Sequence, residues 1–238
     1  MFAVDLHAHT RFFHGRRQLG DRFDPCGVRL LARAIDRRGL DGVATTNHDY
    51  YTPFGHRDDD VTVIPGIEVS TTHGHVLVIG PDPPRETVPL EYTPQEIVDR
   101  AHDRGCVAIV AHPYRNSTVT EFETVPFDAI EINGKHPRTE TLVRELAADR
   151  SLPLVGGSDA HVPFEAGRAY TLIDTDRLTP ESVVAAISNG RVEPRVDNRP
   201  VDRLLRRLYH EVHRRKHPDG VLAAPTSSVG GVSRTGSR

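Results

Sequence analysis

Short apolar runs alternate with helical stretches along most of the chain, and this alternation restricts the fold more than any other feature. Eight runs rich in β-branched residues and flanked by Gly or Pro predict strands at 2–6, 42–47, 61–70, 75–80, 106–112, 127–133, 152–159 and 169–174. Apolar residues at helical spacing predict helices over 28–40, 93–105, 136–150 and 179–190. Repeated strand–helix units indicate a mainly parallel sheet, either open and doubly wound or closed into a barrel.

The length of the chain fits one large α/β core, since it has 238 residues. No apolar stretch approaches the roughly 20 residues that cross a bilayer. The first residues lack the basic and apolar regions of a secretory signal. These features predict one cytoplasmic domain over residues 1–217, without a membrane segment.

The C-terminal part of the chain differs from the rest in charge. Residues 190–238 hold 11 Lys and Arg against 5 Asp and Glu, although the whole chain has a formal charge of −3. Apolar spacing predicts a peripheral helix over 200–216 with arginines on its other side. Residues 218–238 are rich in Gly, Ser and Pro and are predicted to be disordered. The basic charge suits a polyanionic partner or a solvated helix face equally well.

The two cysteines, Cys26 and Cys106, are too few for a disulfide framework and too far apart for a CxxC motif. We therefore expect both to be reduced and buried. Neither is a candidate catalytic group.

Ionisable residues cluster at the ends of five predicted strands. They are His7, His9, His48, Glu68, His112, Asp159 and His161. In a parallel barrel these ends converge on one face, so residues far apart in sequence can share one pocket. The side chains of residues two apart on an extended chain point the same way, so His7 and His9 can bind the same group. One such histidine alone would more often be a hydrogen-bonded core or surface residue, but several together indicate a site.

The side chains in this set are imidazoles and carboxylates, without a thiolate. Such donors suit Zn²⁺, Mn²⁺ or Fe, whereas Mg²⁺ and Ca²⁺ prefer oxygen ligands alone. The set contains more donors than one tetrahedral ion can use, so it predicts more than one metal ion.

Four of these segments resemble, in order, the motifs of the PHP (polymerase and histidinol phosphatase) domain family of metal-dependent phosphoesterases. DLHAHT, TNHD, AHP and GSDAH are similar to the family's four motifs, and PGIEVS is similar to its glutamate segment. The resemblance spans residues 3–175. It implies a distorted (β/α)7 TIM-like barrel with two to three divalent metal ions (Zn, Mn or Fe) at the C-terminal ends of the strands.

The resemblance also implies how the ligands are shared. His7, His9, Glu68 and Asp159 would share one ion, His48 and His161 would hold a second, and His112 with His75 would hold a third that Glu68 also touches. Glu68 would thus be a bridge. The residues expected to act in catalysis are His7, His9, Glu68, Asp159 and His161.

Some positions leave the ligand set open. Many relatives have aspartate where this chain has His14, and others have histidine; we expect His14 to complete the second site, the alternative being a loop histidine in solvent. His73 is a rival to His75. Asp5 is expected to orient a ligand without binding metal, and Asn47 stands where relatives commonly have aspartate.

Arg115 and Lys135 follow strand ends on the same predicted face and are the candidate phosphate-binding residues. Arg16 and Arg17 are secondary candidates. The alternative for these arginines is an ordinary position at the surface, because the chain has many arginines and only two lysines among its 30 basic residues.

The expected activity is hydrolysis of a phosphate ester of a small metabolite or nucleotide by in-line attack of metal-bound hydroxide. One alternative is a nuclease or polymerase-associated module acting on nucleic-acid ends, and another is a non-catalytic regulatory domain that binds metal. The resemblance implies that relatives which trim nucleic acids or bisphosphorylated nucleotides often carry a sizeable insertion between the positions of His75 and His112. Only 36 residues separate these positions here, and this compact form favours small substrates. The basic segment 200–216 favours nucleic acid, because phosphate contacts dominate its binding.

Overall fold

The computed structural model describes residues 1–11, 20–54, 61–115, 117–121 and 123–197, which contain nine strands and four α-helices. In chain order these are β1 (Phe2–Ala8), α1 (Gly20–Asp36), β2 (Gly42–Thr45), β3 (Thr62–Thr71), β4 (Gly74–Ile79), α2 (Pro94–Asp103), β5 (Val107–Val110), β6 (Ala129–Asn133), α3 (Glu140–Asp149), β7 (Leu154–Gly157), β8 (Ala169–Ile173), α4 (Pro180–Ser188) and β9 (Val192–Val196).

The strands form one sheet in the order β7-β6-β5-β4-β3-β2-β1-β8-β9. The sheet curls until the end of β1 meets the segment after β7. There the backbone N–H of Asp159 donates to the carbonyl of His7 at 2.7 Å, and that of His9 donates to Ala160 at 2.9 Å. The sheet is therefore a nearly closed barrel, which confirms the expected fold class.

The strand directions differ from the mainly parallel sheet that the sequence predicts. β1–β2, β2–β3, β5–β6 and β6–β7 are parallel, but β1–β8, β3–β4, β4–β5 and β8–β9 are antiparallel. The prediction of a mainly parallel sheet is thus wrong. Only residues 72 and 73 join β3 to β4, and a parallel crossover needs a dozen residues or more, so this pair must form a hairpin.

The last described strand, β9, is absent from the sequence predictions. Its residues are VEPRV, which combine charge with a proline. Proline cannot donate to a sheet ladder and is confined to edge strands. β9 is the terminal strand in the pairing order, bound to β8, which explains why its sequence lacks the apolar signal of the other strands.

The helices begin where the sequence supplies capping residues. Thr93 and Thr179 each form a capping box at the start of α2 and α4, and a proline follows each as the first helical residue. α1 starts at Gly20, eight residues before the predicted start. α3 begins at Glu140, four residues after the predicted start, because a 3₁₀ turn over Pro137–Thr139 precedes it.

Alternating side chains divide the core into an inner and an outer layer. One cluster joins Ile64, Leu77 and Ile109 to the buried face of α4, and another joins the alternate residues Val69, Val78 and Val110 to α2 and α3. Burial on both faces explains why these strands read as continuous apolar runs. The polar residues of the motifs lie at the C-terminal ends of β1, β2, β5 and β7.

Several expectations fall outside the described residues: His14, Arg16, Arg17, the helix over 200–216, the tail 218–238 and the boundary at 217. Within the described residues, no helix is both long and apolar enough to cross a membrane.

Cys26 and Cys106 are both free. Cys106 is buried as expected, but Cys26 is exposed, because its neighbour Gly27 occupies the face of α1 that packs against Thr10.

Candidate metal centre

Eight of the predicted site residues come together at one end of the barrel. They are His7, His9, His48, Glu68, His75, His112, Asp159 and His161, and each belongs to at least one group of three whose donor atoms lie within 4.8 Å of one another. Glu68, on β3, is at the centre of the cluster. It is completely buried, and no other carboxylate among the described residues faces so many histidines.

The two oxygens of Glu68 face different histidines. Oε2 lies 3.2 Å from Nε2 of His7, 3.3 Å from Nε2 of His9 and 3.1 Å from Nδ1 of His48. Oε1 lies 2.6 Å from Nδ1 of His75 and 3.0 Å from Nε2 of His112. A single carboxylate therefore joins two sets of imidazoles on its two sides, which is the geometry of a bridging ligand.

Asp159 closes the other side of the cluster. Its Oδ1 lies 3.3 Å from Nε2 of His9, 3.7 Å from Nε2 of His7 and 3.2 Å from Nδ1 of His161. Both Asp159 and His112 have a backbone in the left-handed region, with φ of 52° and 26°. Such a conformation costs about 1–3 kcal/mol in a residue other than glycine and is concentrated at functional sites.

The groups of donors overlap more than the sequence implies. His48 lies with His161, its expected partner, but also with His9, Glu68 and His75. His75, rather than its rival His73, is next to Glu68; His73 instead places Nδ1 2.7 Å from Thr72 Oγ1. The hairpin explains this, because His75 pairs with Ser70 across the strands, diagonal to Glu68 on the same face.

Neighbouring groups shift the pKa values of the two histidines at the end of β1, His7 and His9, in opposite directions. Burial alone lowers the pKa of His7, but the carboxylates of Glu131, Glu68 and Asp159 together raise it well above its usual range. Burial lowers the pKa of His9 well below its usual range, and the adjacent imidazole of His161 adds to the effect. His9 is thus held neutral, the form in which an imidazole binds metal.

The carboxylates in the cluster are held in their charged form. Burial alone raises the pKa of Glu68, but the imidazoles around it bring that pKa well below its usual range. For Asp159, the ammonium of Lys135 and the imidazole of His161 outweigh burial and lower the pKa in the same way. Charged carboxylates beside a neutral imidazole are the donors that a divalent cation needs.

The arrangement around His9 fits a bound cation. Nε2 of His9 is buried and makes no hydrogen bond to the described residues, although two carboxylate oxygens lie 3.3 Å away. Donors that lie about 2.1 Å from one tetrahedral ion are separated by similar distances. The donor set of nitrogen and oxygen, without sulfur, suits Zn²⁺, Mn²⁺ or Fe.

Two cationic side chains lie against Asp159. Nη1 of Arg115 is 3.2 Å from Oδ2, and Nζ of Lys135 is 3.5 Å from Oδ1 and 2.7 Å from Nδ1 of His161. Lys135 is nearly buried, whereas the side chain of Arg115 is 42% exposed. The structure therefore brings both candidate phosphate-binding residues to one side of the cluster, where Arg115 faces solvent.

Three polar residues of the motifs form hydrogen bonds with the segments around the cluster rather than with the cluster itself. Asp5 accepts hydrogen bonds from the N–H groups of His7, Ser158 and Gly167 and so connects β1 to the segment between β7 and β8. Asn47 holds the loop after β1 by accepting from the N–H of Thr10. Asp49 accepts from Ser70 and Thr87. Asp5 thus orients the β1 backbone and contacts no imidazole.

Glu131 contacts the imidazole of His7, and the sequence predictions missed it. Its Oε1 lies 2.8 Å from Nδ1 of His7, and its side chain is completely buried. A signal was present in the run AIEIN, where Glu131 alternates with two isoleucines in a strand buried on both faces. A carboxylate in such a strand must point into the barrel and requires a partner there.

A family model and the sequence of one other protein each match part of this chain. Residues 137–192 match the family model PHP_C, described as PHP-associated. The uncharacterized protein MJ1587 of Methanocaldococcus jannaschii is 27% identical over 119 residues, which are 47% of this chain and 67% of that protein.

Three solved structures share the fold at low sequence identity. PsfC from Pseudomonas syringae has a TM-score of 0.71 and 17% identity, over 89% of this chain and 98% of PsfC. A two-domain protein from Bacteroides vulgatus, containing a predicted PHP-like metal-dependent phosphoesterase, has a TM-score of 0.58 and 18% identity, over 82% of this chain and 65% of that chain. The lesion-specific endonuclease Q of Pyrococcus furiosus has a TM-score of 0.55 and 18% identity, over 79% and 56%.

These similarities agree with the motifs in the sequence. The PHP_C segment covers α3, β7 and the GSDAH motif, and the solved structures share the barrel that gathers the histidines. The chain spans only 65% and 56% of the Bacteroides and Pyrococcus proteins. At this level of identity the solved structures establish the fold alone.

Proposed function

We propose that this chain is a member of the PHP domain family and a metal-dependent phosphoesterase acting on a small phosphorylated metabolite or nucleotide; the PHP-associated segment and the barrel fold support this proposal. The observation that carries the proposal is the position of Glu68, whose two oxygens each face a separate set of imidazoles. The proposed metal ligands are His7, His9, His48, Glu68, His75, His112, Asp159 and His161, with His14 as a further ligand.

Each group in the cluster has a defined part in this proposal. The carboxylates of Glu68 and Asp159 provide the negative charge that holds two or three cations together, and neutral His9 provides a nitrogen donor. Divalent cations bound there would supply Lewis-acid charge for the phosphate oxygens and lower the pKa of a water molecule. Arg115 would bind a non-bridging phosphate oxygen, with Lys135 beside it.

The preference for a small substrate rests on the compact segment between His75 and His112. Its 36 residues contain most of β4, the helix α2, the strand β5 and the loops that connect them. A nuclease is the second candidate, because endonuclease Q shares the fold and is known in complex with a 27-mer duplex that has an abasic lesion at the active site. The small-substrate assignment and the nuclease assignment predict different substrates for the same centre.

The test is to purify the protein without chelator, count bound ions and assay the Mn²⁺-, Zn²⁺- and Fe²⁺-loaded forms. Substrates are phosphomonoesters, bis-p-nitrophenyl phosphate and short 5′-phosphorylated oligonucleotides. We expect metal-dependent hydrolysis of the small esters. Hydrolysis of oligonucleotides alone would support the nuclease, and bound metal without hydrolysis of any substrate would support a regulatory domain.

Substitutions in the cluster provide the residue-level test. His9→Ala, Glu68→Ala and Asp159→Ala should each reduce turnover by at least about 100-fold, because each removes a donor near the reacting phosphate. The matched control is His102→Ala, since His102 also pairs with a carboxylate, Asp128, at 2.9 Å but lies outside the cluster. Retained activity in all three cluster variants would overturn the proposal.

A further inference from the structure

Glu131 occupies a position in β6 from which a side chain can only point into the barrel. The neighbouring Ile130 and Ile132 pack in the outer apolar cluster with α3, so the alternate residue faces inward. Its side chain is 0% exposed, as is that of His7 beside it. A carboxylate in such a place requires hydrogen-bond donors on its oxygens.

The two oxygens of Glu131 contact two different ligand-bearing segments. Oε1 lies 2.8 Å from Nδ1 of His7, at the end of β1. Oε2 accepts the backbone N–H of His112, after β5, at 2.8 Å and the amide of Asn133 at 3.2 Å. One side chain therefore connects the segments that carry His7 and His112, on opposite sides of Glu68.

The contact with Oε1 decides which nitrogen of His7 faces the cluster. A carboxylate accepts hydrogen bonds, so Nδ1 of His7 carries the proton and donates it to Glu131. When a cation is bound at Glu68, Nε2 of His7, which lies 3.2 Å from Glu68 Oε2, would be the nitrogen that offers its lone pair to that cation. Nε2 of His112 likewise faces Oε1 of Glu68 at 3.0 Å.

We propose that Glu131 is a positioning residue, which locks His7 in the tautomer with Nδ1 protonated and fixes the backbone of His112, so that both present Nε2 to the cations at Glu68. The proposal rests on the metal site of the proposed function and assigns a role to a residue outside the ligand set. Histidine ligands generally donate their other N–H to such a partner, and losing that partner typically weakens metal binding about 10- to 100-fold.

A glutamine cannot replace Glu131 in this role. The carboxylate accepts through one oxygen from His7 and through the other from the N–H of His112. A glutamine side chain has one oxygen and one NH₂ group, so one of the two contacts becomes donor against donor. Glu131→Gln therefore removes the positioning while it keeps the size of the side chain.

The chain offers a matched control at the other end of the same strand. Asp128, immediately before β6, also accepts from a histidine ring, Nε2 of His102 at 2.9 Å, and from a backbone N–H, that of Ala108 at 2.7 Å. Asp128→Asn makes the same chemical change without touching the cluster. Both contacts of Asp128 end on the same oxygen, Oδ2, which an asparagine oxygen can replace, so this variant controls for the loss of a carboxylate charge beside a histidine and should keep its metal affinity.

The experiment measures Zn²⁺ affinity by competition with a chromophoric chelator in the full chain, alongside unfolding in urea. We expect Glu131→Gln to bind Zn²⁺ about 10- to 100-fold more weakly and Asp128→Asn to bind it as the wild type does. Equal affinity in the wild type and Glu131→Gln would overturn the role of Glu131 alone. A zinc-loaded wild type that hydrolyses no ester would overturn the proposed function alone.

A second measurement uses the wild type and does not depend on how the variant folds. Long-range ¹H–¹⁵N correlation spectra of the zinc-loaded, ¹⁵N-histidine-labelled protein report which ring nitrogen carries the proton. The resonances of His7 are those missing from His7→Gln. We expect Nδ1 of His7 to be protonated, and a proton on Nε2 would overturn the proposal.

Discussion

At the scale of the residue, the candidate centre shows how neighbours set the chemistry of identical side chains. His7 and His9 are two positions apart on the same buried strand end, but their pKa values move in opposite directions. Carboxylates surround the imidazole of His7, whereas the imidazoles of His161 and His48 oppose protonation of His9. The difference lies in the tertiary neighbours, since both side chains are almost completely buried.

Arg115 provides a test of substrate binding at this scale. Its guanidinium is 3.2 Å from Asp159 and 42% exposed, so it can reach a phosphate in solution. We expect Arg115→Ala to raise KM about 10-fold or more, because a hydrogen bond to a charged group contributes about 1.5–3 kcal/mol. Steady-state kinetics would measure this, with Arg144→Ala as control, since Arg144 binds Glu140 on exposed helix α3. An unchanged KM would exclude Arg115 from substrate binding.

His136 predicts a pH dependence of stability. Burial and the nearby charge of Arg115 lower its pKa from 6.5 to about 4. The unfolded chain therefore binds this proton more readily than the folded one, so the protein loses stability as the pH falls from 6.5 toward 4. His136→Asn, which cannot be protonated in this range, should show a smaller loss.

The measurement for His136 is urea unfolding of both proteins at a series of pH values across that window. Other histidines titrate in both proteins, so their contributions are common to the two curves. The difference between the free energies of unfolding should shrink or reverse on the acid side. Parallel curves for the two proteins would show that His136 is protonated as easily in the folded state as in the unfolded state.

At the scale of the element, β7 depends on two adjacent glycines. A Cβ atom on Gly156 would lie 2.4 Å from the carbonyl oxygen of Tyr170, on β8. A Cβ atom on Gly157 would lie 2.4 Å from Oε1 of Glu131 and 2.5 Å from Cβ of His7. Small residues here let β7 approach the other strands closely enough to close the barrel next to the cluster.

Gly157→Ala should therefore affect both stability and metal binding. Overpacking of a tight core typically costs about 1–3 kcal/mol, and the atoms that must move belong to Glu131 and His7. Urea unfolding and Zn²⁺ competition would measure the two effects. Gly39→Ala is the control: its positive φ of 73° makes it destabilising, but a Cβ there meets no atom within 4 Å. Wild-type zinc affinity in Gly157→Ala would contradict the expected coupling.

At the scale of the whole molecule, β9 decides where the basic C-terminal part can be removed. β9 pairs with β8 along five residues, and the N–H of Asp174 donates to the carbonyl of Arg191. A truncation at residue 190 would delete this strand. A truncation after Asp197 keeps the described barrel and removes residues 198–238, which hold nine Lys and Arg against three Asp and Glu.

The chain ending at Asp197 tests the nucleic-acid alternative. We expect it to hydrolyse small esters as the full chain does, because the candidate centre is intact. Its affinity for a 5′-phosphorylated oligonucleotide should be lower and less dependent on salt, since fewer cationic side chains replace counterions. Fluorescence anisotropy over a range of salt concentrations would measure this. Equal salt dependence in the two proteins would show that the removed segment makes no phosphate contacts.

Much of the architecture could be read from local patterns. Eight strands and four helices follow from apolar runs, capping residues and glycines, because such signals act between near neighbours in the chain. The direction of the strands could not be predicted in this way. The helical stretches favoured parallel crossovers, but a two-residue turn forces β3 and β4 into a hairpin. β9 was missed because an edge strand needs no apolar run.

The sequence by itself determined the kinds of donors in this protein and their positions at strand ends, because residue type and local periodicity are properties of the chain. The tertiary structure alone decided which histidines face each oxygen of Glu68 and that Glu131 contacts His7. Those contacts depend on strand order, register and closure of the barrel, which join residues as distant as Asp5 and Ser158, 153 positions apart. Distances across such separations are set by packing of the whole sheet, and no local pattern encodes them.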